Sequence, residues 1–125
     1  MALRHPKIPD ESHPITITPS ARSVRVLWQG KVVASSDHAL DLKEASYPVV
    51  KYIPRSDVDM SLLVRSSHQT FCPFKGDASY FSLRAEDAGA DNAVWSYEDP
   101  FPAMAAIKDH VAFYPDRVEL EEVET

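Results

Sequence analysis

Apolar and polar residues alternate in short runs along most of this chain, the period of two that belongs to strands with one buried face. Ile15 and Ile17 alternate with Thr16 and Thr18 until Pro19 breaks the run. Val24, Val26 and Trp28 alternate with Arg25 and Leu27. Gln29-Gly30 then leads into the β-branched stretch from Lys31 to Ala34, so a β-hairpin is predicted. A third strand is expected from about His38 to Glu44, with Leu40 and Leu42 set against Asp41 and Lys43, and a fourth from Val49 to Ile53. Pro54 to Leu63 reads as a turn or a short helical turn, with Ser56 as its candidate cap. Residues 67 to 72 and 78 to 84 read as two strands joined by the Pro73 to Asp77 loop, and Asn92 to Tyr97 as another after an acidic, glycine-containing connection. One helix is predicted, Ala103 to about Asp109, from its alanine content and from Pro102 at the first turn. Val111 to Tyr114 closes the pattern as a strand that Pro115 ends.

Seven or eight short strands and one short helix near the carboxyl end imply a mainly β fold, an antiparallel sheet curled or folded over itself. A parallel α/β sheet would need several crossover helices, and the pattern offers one. The expected organisation is an extended arm over residues 1–14, where Pro6, Pro9 and Pro14 interrupt any periodicity, a single domain over 15–118, and an acidic, solvated tail over 119–125.

Composition narrows the function classes. With 125 residues and 44% hydrophobic content, one core is expected. No apolar run approaches the ~18 residues needed to span a bilayer, and the amino terminus MALRHPKIPD lacks the apolar stretch of a secretory signal. The only cysteine is Cys72, which suits a reducing compartment, so a cytoplasmic location is expected and no membrane association. The formal charge is −6, acids gather at Glu119, Glu121, Glu122 and Glu124, and basic residues are scattered singly. Nucleic acid is therefore disfavoured as a partner, because phosphate capture needs a dense Lys/Arg surface.

Candidate chemistry centres on HQTFCPFKGDASY, His68 to Tyr80. On a strand, His68, Thr70 and Cys72 share one face at intervals of about 7 Å. Lys75, three residues beyond the cysteine, is placed to lower the thiol pKa, and His68, Cys72 and Lys75 are thus the candidate catalytic groups. A strand separation of about 14 Å between His68 and Cys72 exceeds hydrogen-bond reach unless the strand bulges. The plainer reading makes Cys72 a small buried hydrophobe and gives Thr70 and His68 structural hydrogen bonds. No metal site is expected: one Cys and five dispersed His fall short of a four-ligand zinc set, and only a convergence of His13, His68, Cys72 and His110 would change that.

The same segment, followed by WSYEDP and IKDHVAFYPDRV and preceded by HPITI, RVLWQGKVVASSDHALDL and YIPRSDV, resembles the bacterial family catalogued as domain of unknown function 427. The resemblance covers nearly the whole chain and implies a compact, mainly β protein, with no activity and no cofactor assigned. A nucleotidyltransferase label has been attached to that family. Its nearest counterpart here is Asp57-Val58-Asp59, two carboxylates that would face one way on a strand and hold Mg²⁺; no Gly-rich phosphate loop accompanies them, and Asp57 serves equally as a partner of Arg55 or a turn cap.

A last constellation is aromatic and cationic. Tyr52, Arg55, Lys75, Tyr80, Arg84, Trp95 and Tyr97 lie in or beside these motifs, and Trp95 and Tyr97 share one strand face, as do Tyr80, Ser82 and Arg84. They form either a core or the wall of a pocket for a small anionic or planar ligand. Tyr52, Arg55, His68, Thr70, Cys72, Lys75, Tyr80, Trp95 and Tyr97 are the expected ligand-binding residues of a small-molecule site, with or without catalysis. The alternative is a non-catalytic module that docks a protein partner by a sheet edge or an aromatic face.

Overall fold

The computed structural model describes residues 6–123. Within them run ten strands: β1 (Ile15–Pro19), β2 (Ser23–Trp28), β3 (Lys31–Ser36), β4 (Leu40–Glu44), β5 (Val50–Pro54), β6 (Leu63–Cys72), β7 (Gly76–Ala85), β8 (Ala88–Ser96), β9 (His110–Phe113) and β10 (Glu119–Val123). Seven form one antiparallel sheet in the order β1-β4-β5-β9-β8-β7-β6, and the other three a second sheet in the order β10-β2-β3. The fold is mainly β, as the alternation predicts. The β2–β3 hairpin turns through Gln29 (φ 52°) and Gly30 (φ 76°), the two left-handed residues that a type I′ turn requires.

The large sheet buries residues on both faces, and sequence neighbours divide between them. Ile53, Phe81, Val94 and Val111 join Val24, Val26, Trp28 and Val33 of the small sheet in one core. Tyr52, Tyr80 and Ala112, one residue away in each strand, join Leu42, Tyr97, Met104 and Ile107 on the opposite face, with Trp95 packed against them. This division follows from the pleat.

Two bulges interrupt the pairing of the large sheet. The register of β6 against β7 slips between Arg65 and Gln69, and that of β7 against β8 slips between Phe81 and Leu83. They meet at a polar knot. The Ser66 hydroxyl donates to Asn92 Oδ1 and accepts from the His68 amide at 2.9 Å, while the Asn92 amide donates to Ser82 Oγ at 3.0 Å. Asn92 itself has φ 52°, a conformation to which Asn is better suited than most residues.

Four expectations are corrected. The described residues contain ten strands, not seven or eight: Glu119–Val123 adds one, and the acidic connection after Ala85 is only the Glu86-Asp87 turn, so that β8 begins at Ala88 and not at Asn92. The helix expected over residues 103–109 is a run of 3-10 turns, Pro102–Ile107, broken at Met104 (φ −111°, ψ 19°). Six residues are too few to nucleate a stable α-helix alone, and the three-residue spacing of the buried Met104 and Ile107 fits the 3-10 period. Between Pro54 and Leu63 two short 3-10 turns form, and the cap is Asp59, accepting from the Ser61 amide at 3.1 Å, not Ser56. Finally, Glu119–Val123 is not a solvated tail but strand β10, paired in full register with β2. Arg25 bonds Glu121 at 2.6 Å and Lys51 bonds Glu122 at 2.8 Å, which offsets the acidic charge of the strand. Among the described residues no helix is long and apolar enough to cross a membrane.

Candidate functional site

The second face of the large sheet is only partly covered, and the uncovered part is a cavity of about 580 Å³. Its aromatic lining comes from adjacent strands. Tyr80 stands directly opposite Trp95 across β7 and β8, and Trp95 opposite Ala112 across β8 and β9. Tyr52 reaches in from β5, its hydroxyl accepting from the Trp95 indole N–H at 3.2 Å, with the two rings edge to face at 6.4 Å. Tyr114, just beyond β9, lies against Trp95 at 4.5 Å between ring centroids. Leu42, Val50, Tyr97 and Phe113 complete the interior, while Tyr47, Val49 and Leu120 form an exposed apolar rim.

Two of the tyrosine hydroxyls meet each other. Tyr80 hydroxyl meets Thr70 Oγ1 at 3.1 Å and the Tyr114 hydroxyl at 3.4 Å. Burial raises the phenol pKa of Tyr52, against the opposing effect of the Trp95 hydrogen bond, and burial likewise raises that of Tyr97. Tyr114 is pushed up to about 12 by burial and by its contact with Tyr80. Tyr52, Tyr97 and Tyr114 are therefore neutral at physiological pH.

The charged corner of the cavity is Lys75 with Glu44. The Pro73–Lys75 loop is held on both sides: the Lys75 amide donates to Cys72 O at 3.2 Å and the Phe101 amide to Lys75 O at 3.0 Å. Gly76 follows at φ 109°, where a side chain would be strained. The Lys75 side chain, 7% exposed, reaches over the Tyr97 ring, 6.0 Å from its centroid, and its ammonium donates to Glu44 Oε1. Glu44 Oε2 is 2.8 Å from His13 Nε2, whose ring stacks on Phe74 at 4.3 Å. Partial burial works to raise the Glu44 pKa, yet the hydrogen bonds from Lys75 and His13 outweigh it and hold the carboxyl below its ordinary value.

The nine residues expected to bind a ligand divide. Tyr52, Lys75, Tyr80, Trp95 and Tyr97 line the cavity. Thr70 and His68 touch Tyr80 from β6, the His68 ring 4.5 Å from the Tyr80 ring. Cys72 sits beside Lys75, Sγ to Nζ 3.8 Å, and packs against the aromatic cluster. Arg55 is turned elsewhere: with Arg65 it clamps Glu98 at 2.9 and 2.8 Å, and both guanidinium groups lie over the Phe81 ring at 5.2 and 4.9 Å. Arg84 pairs with Asp91 at 2.6 Å. His68 and Cys72 therefore engage different partners. His13, His68, Cys72 and His110 do not converge, and His110 Nδ1 is 2.8 Å from Lys108 O.

Sequence reasoning missed Glu44, Tyr47, Tyr114 and Leu120. Tyr114 carried a usable signal, since it lies two residues past Ala112 and so on the same strand face. Glu44 and Leu120 carried none locally, because only the packing of β4 and β10 brings them to the cavity.

Fold and site together define a small, mainly antiparallel β protein with an aromatic cavity on one face of its larger sheet. It belongs to the family described as a domain of unknown function (DUF427), whose profile matches residues 16–124. No curated protein matches the chain. The profile's short name carries nucleotidyltransferase wording, and the carboxylates that would answer to it have other partners. Asp57 accepts from Ser36 Oγ at 2.6 Å, and Asp59 Oδ1 caps the turn at Ser61. Among the described residues no group of three or more His, Cys, Asp or Glu side chains is gathered as a metal-ligand set.

Proposed function

We propose that the protein binds a small, planar, hydrogen-bonding molecule against Tyr52, Tyr80, Trp95 and Tyr97. The observation that carries this reading is the concave aromatic cavity, whose volume of about 580 Å³ falls in the range that encloses a metabolite-sized ligand. An aromatic wall favours a flat ligand by offset or edge-to-face stacking. Of the small polar and anionic ligands the sequence suggests, the uncharged ones fit better, because both cations of the lining are already neutralised, Lys75 by Glu44 and Lys51 by Asp41 and Glu122.

The reading as a protein-docking module has less support. β6 is an exposed edge of ten residues, but its bulge at Ser66–His68 interrupts the straight run of backbone groups that strand addition needs. A thermal-shift screen against planar metabolites tests the proposal: a ligand at 100 times its Kd adds about 2.7 kcal/mol of stability. The shift is expected to vanish in Trp95→Ala. A screen without hits, or hits that survive Trp95→Ala, would reject the cavity as the site.

A further inference from the structure

The polar side chains of the cavity differ in how many of their hydrogen-bonding positions are spent, and that difference points to the edge a ligand must present. Lys51 is saturated. Its three N–H donors meet Asp41 at 2.6 Å, Glu122 at 2.8 Å and Ser20 Oγ at 3.3 Å. The Trp95 N–H is spent on Tyr52, and the Tyr80 hydroxyl is shared between Thr70 and Tyr114.

Lys75 and Glu44 are different. Of three ammonium donors, Lys75 places one on Glu44 and directs another at the Cys72 sulfur, a weak acceptor at 3.8 Å. Glu44 has two oxygens and about four acceptor positions, of which Lys75 and His13 take one on each oxygen. Side by side in the cavity lining, the pair therefore keeps one ammonium donor and two carboxylate acceptor positions that these contacts do not take, and its two charges cancel. An anion gains little there, since Glu44 repels it as Lys75 attracts it. A ring that carries an N–H next to a C=O satisfies both groups at once.

We infer that the ligand class of this cavity is an uncharged heteroaromatic with a lactam or amide edge, its carbonyl accepting from Lys75 Nζ and its N–H donating to Glu44. This rests on the cavity reading above and adds the chemistry of recognition to it.

Three bicyclic probes of nearly equal size separate the possibilities by isothermal titration of the full chain at pH 7.5: isoquinolin-1(2H)-one, which has the lactam edge; isoquinoline, which lacks it; and 1-naphthoate, which is anionic. The lactam is expected to bind at least about tenfold tighter than isoquinoline, the effect of a single hydrogen bond to a charged group. In the double variant Glu44→Leu/Lys75→Met the two are expected to bind alike. Replacing both partners with apolar residues of similar volume avoids leaving one charge buried alone, and circular dichroism checks that the variant is folded. Equal affinity of lactam and isoquinoline for the wild type, tightest binding by 1-naphthoate, or a lactam preference that persists in the double variant each overturns the inference while leaving the cavity as a binding site. Failure of all three probes to bind overturns the inference and the cavity reading together.

Discussion

Glu98 holds together two arginines, Arg55 from the 3-10 turn after β5 and Arg65 from β6, and its titration makes that role measurable. Hydrogen bonds from Arg65 first, then Arg55 and Ser79, with burial opposing, bring its pKa from 4.5 down to about 2. A carboxyl with a depressed folded-state pKa contributes stability that is fully present above the unfolded value and is lost as the pH falls through the folded one. Here that window runs from about 4.5 down to about 2. Glu98→Gln is expected to cost about 1–2 kcal/mol at pH 7, less than the whole shift would convert to because Arg65 is half exposed. Urea unfolding at pH 7 and pH 3 checks this: the gap between wild type and variant should narrow by more than half at pH 3, and an unchanged gap contradicts it. At this scale the sequence was partly legible. Arg55 stood out as a motif cation, but its destination did not, because Glu98 lies 43 residues along the chain and only the pairing of β6 with β7 sets Arg65 opposite Phe81. Asp57 lies in a short 3-10 turn, but its carboxylate neither caps that turn nor pairs with Arg55, the two roles the plainer reading offers; its partner is Ser36 of β3.

Strands are legible where their period of two is clean, and the bulges show where it fails. β1, β2 and β4 alternate in sequence and are readable within a few residues, whereas β3 and β9 are legible only as short β-branched or apolar runs, with adjacent residues buried. β8 was not, because Asp91 and Asn92 interrupt it with polar residues at the bulge, which locally resemble a loop. Ser82, 6% exposed, supports it there, its hydroxyl accepting from the Asn92 amide at 3.0 Å. Ser82→Ala should cost about 1 kcal/mol, the net contribution of one half-buried hydrogen bond. In the same variant, amide hydrogen exchange at Asn92 should accelerate by a similar free energy; normal protection at Asn92 would show that the knot does not hold the bulge. The same element-level reasoning explains the candidate site. His68, Thr70 and Cys72 were placed correctly on β6, but the bulge turns His68 onto the Tyr80 ring, and the cavity opens one strand further in, where the aromatic alternation of β7 and β8 had already pointed.

For the whole molecule, the sharpest departure from the sequence reading is β10. Glu119, Glu121 and Glu122 suggest a charged, solvated end, because local composition registers charge and cannot register a partner that lies more than 90 residues away in β2. Pairing decides the outcome: β10 covers the edge of β2, Leu120 contributes to the cavity rim, and Glu122 supplies one of the three acceptors around Lys51. Deleting the chain from Glu119 onward is therefore expected to lower the thermal midpoint by roughly 3–8 °C, corresponding to about 1–2 kcal/mol for a chain of this size. It should also weaken ligand binding at the rim. A solvated tail would give neither effect. Charge and pairing can be separated with Glu119→Thr/Glu121→Thr, which keeps the backbone ladder and β propensity while removing two carboxylates. The Arg25 pair lost in that variant is largely exposed and contributes little, so the midpoint should stay within about 2 °C of wild type. If the double substitution instead reproduces the deletion, acidic charge and not strand pairing is what the carboxyl-terminal segment contributes.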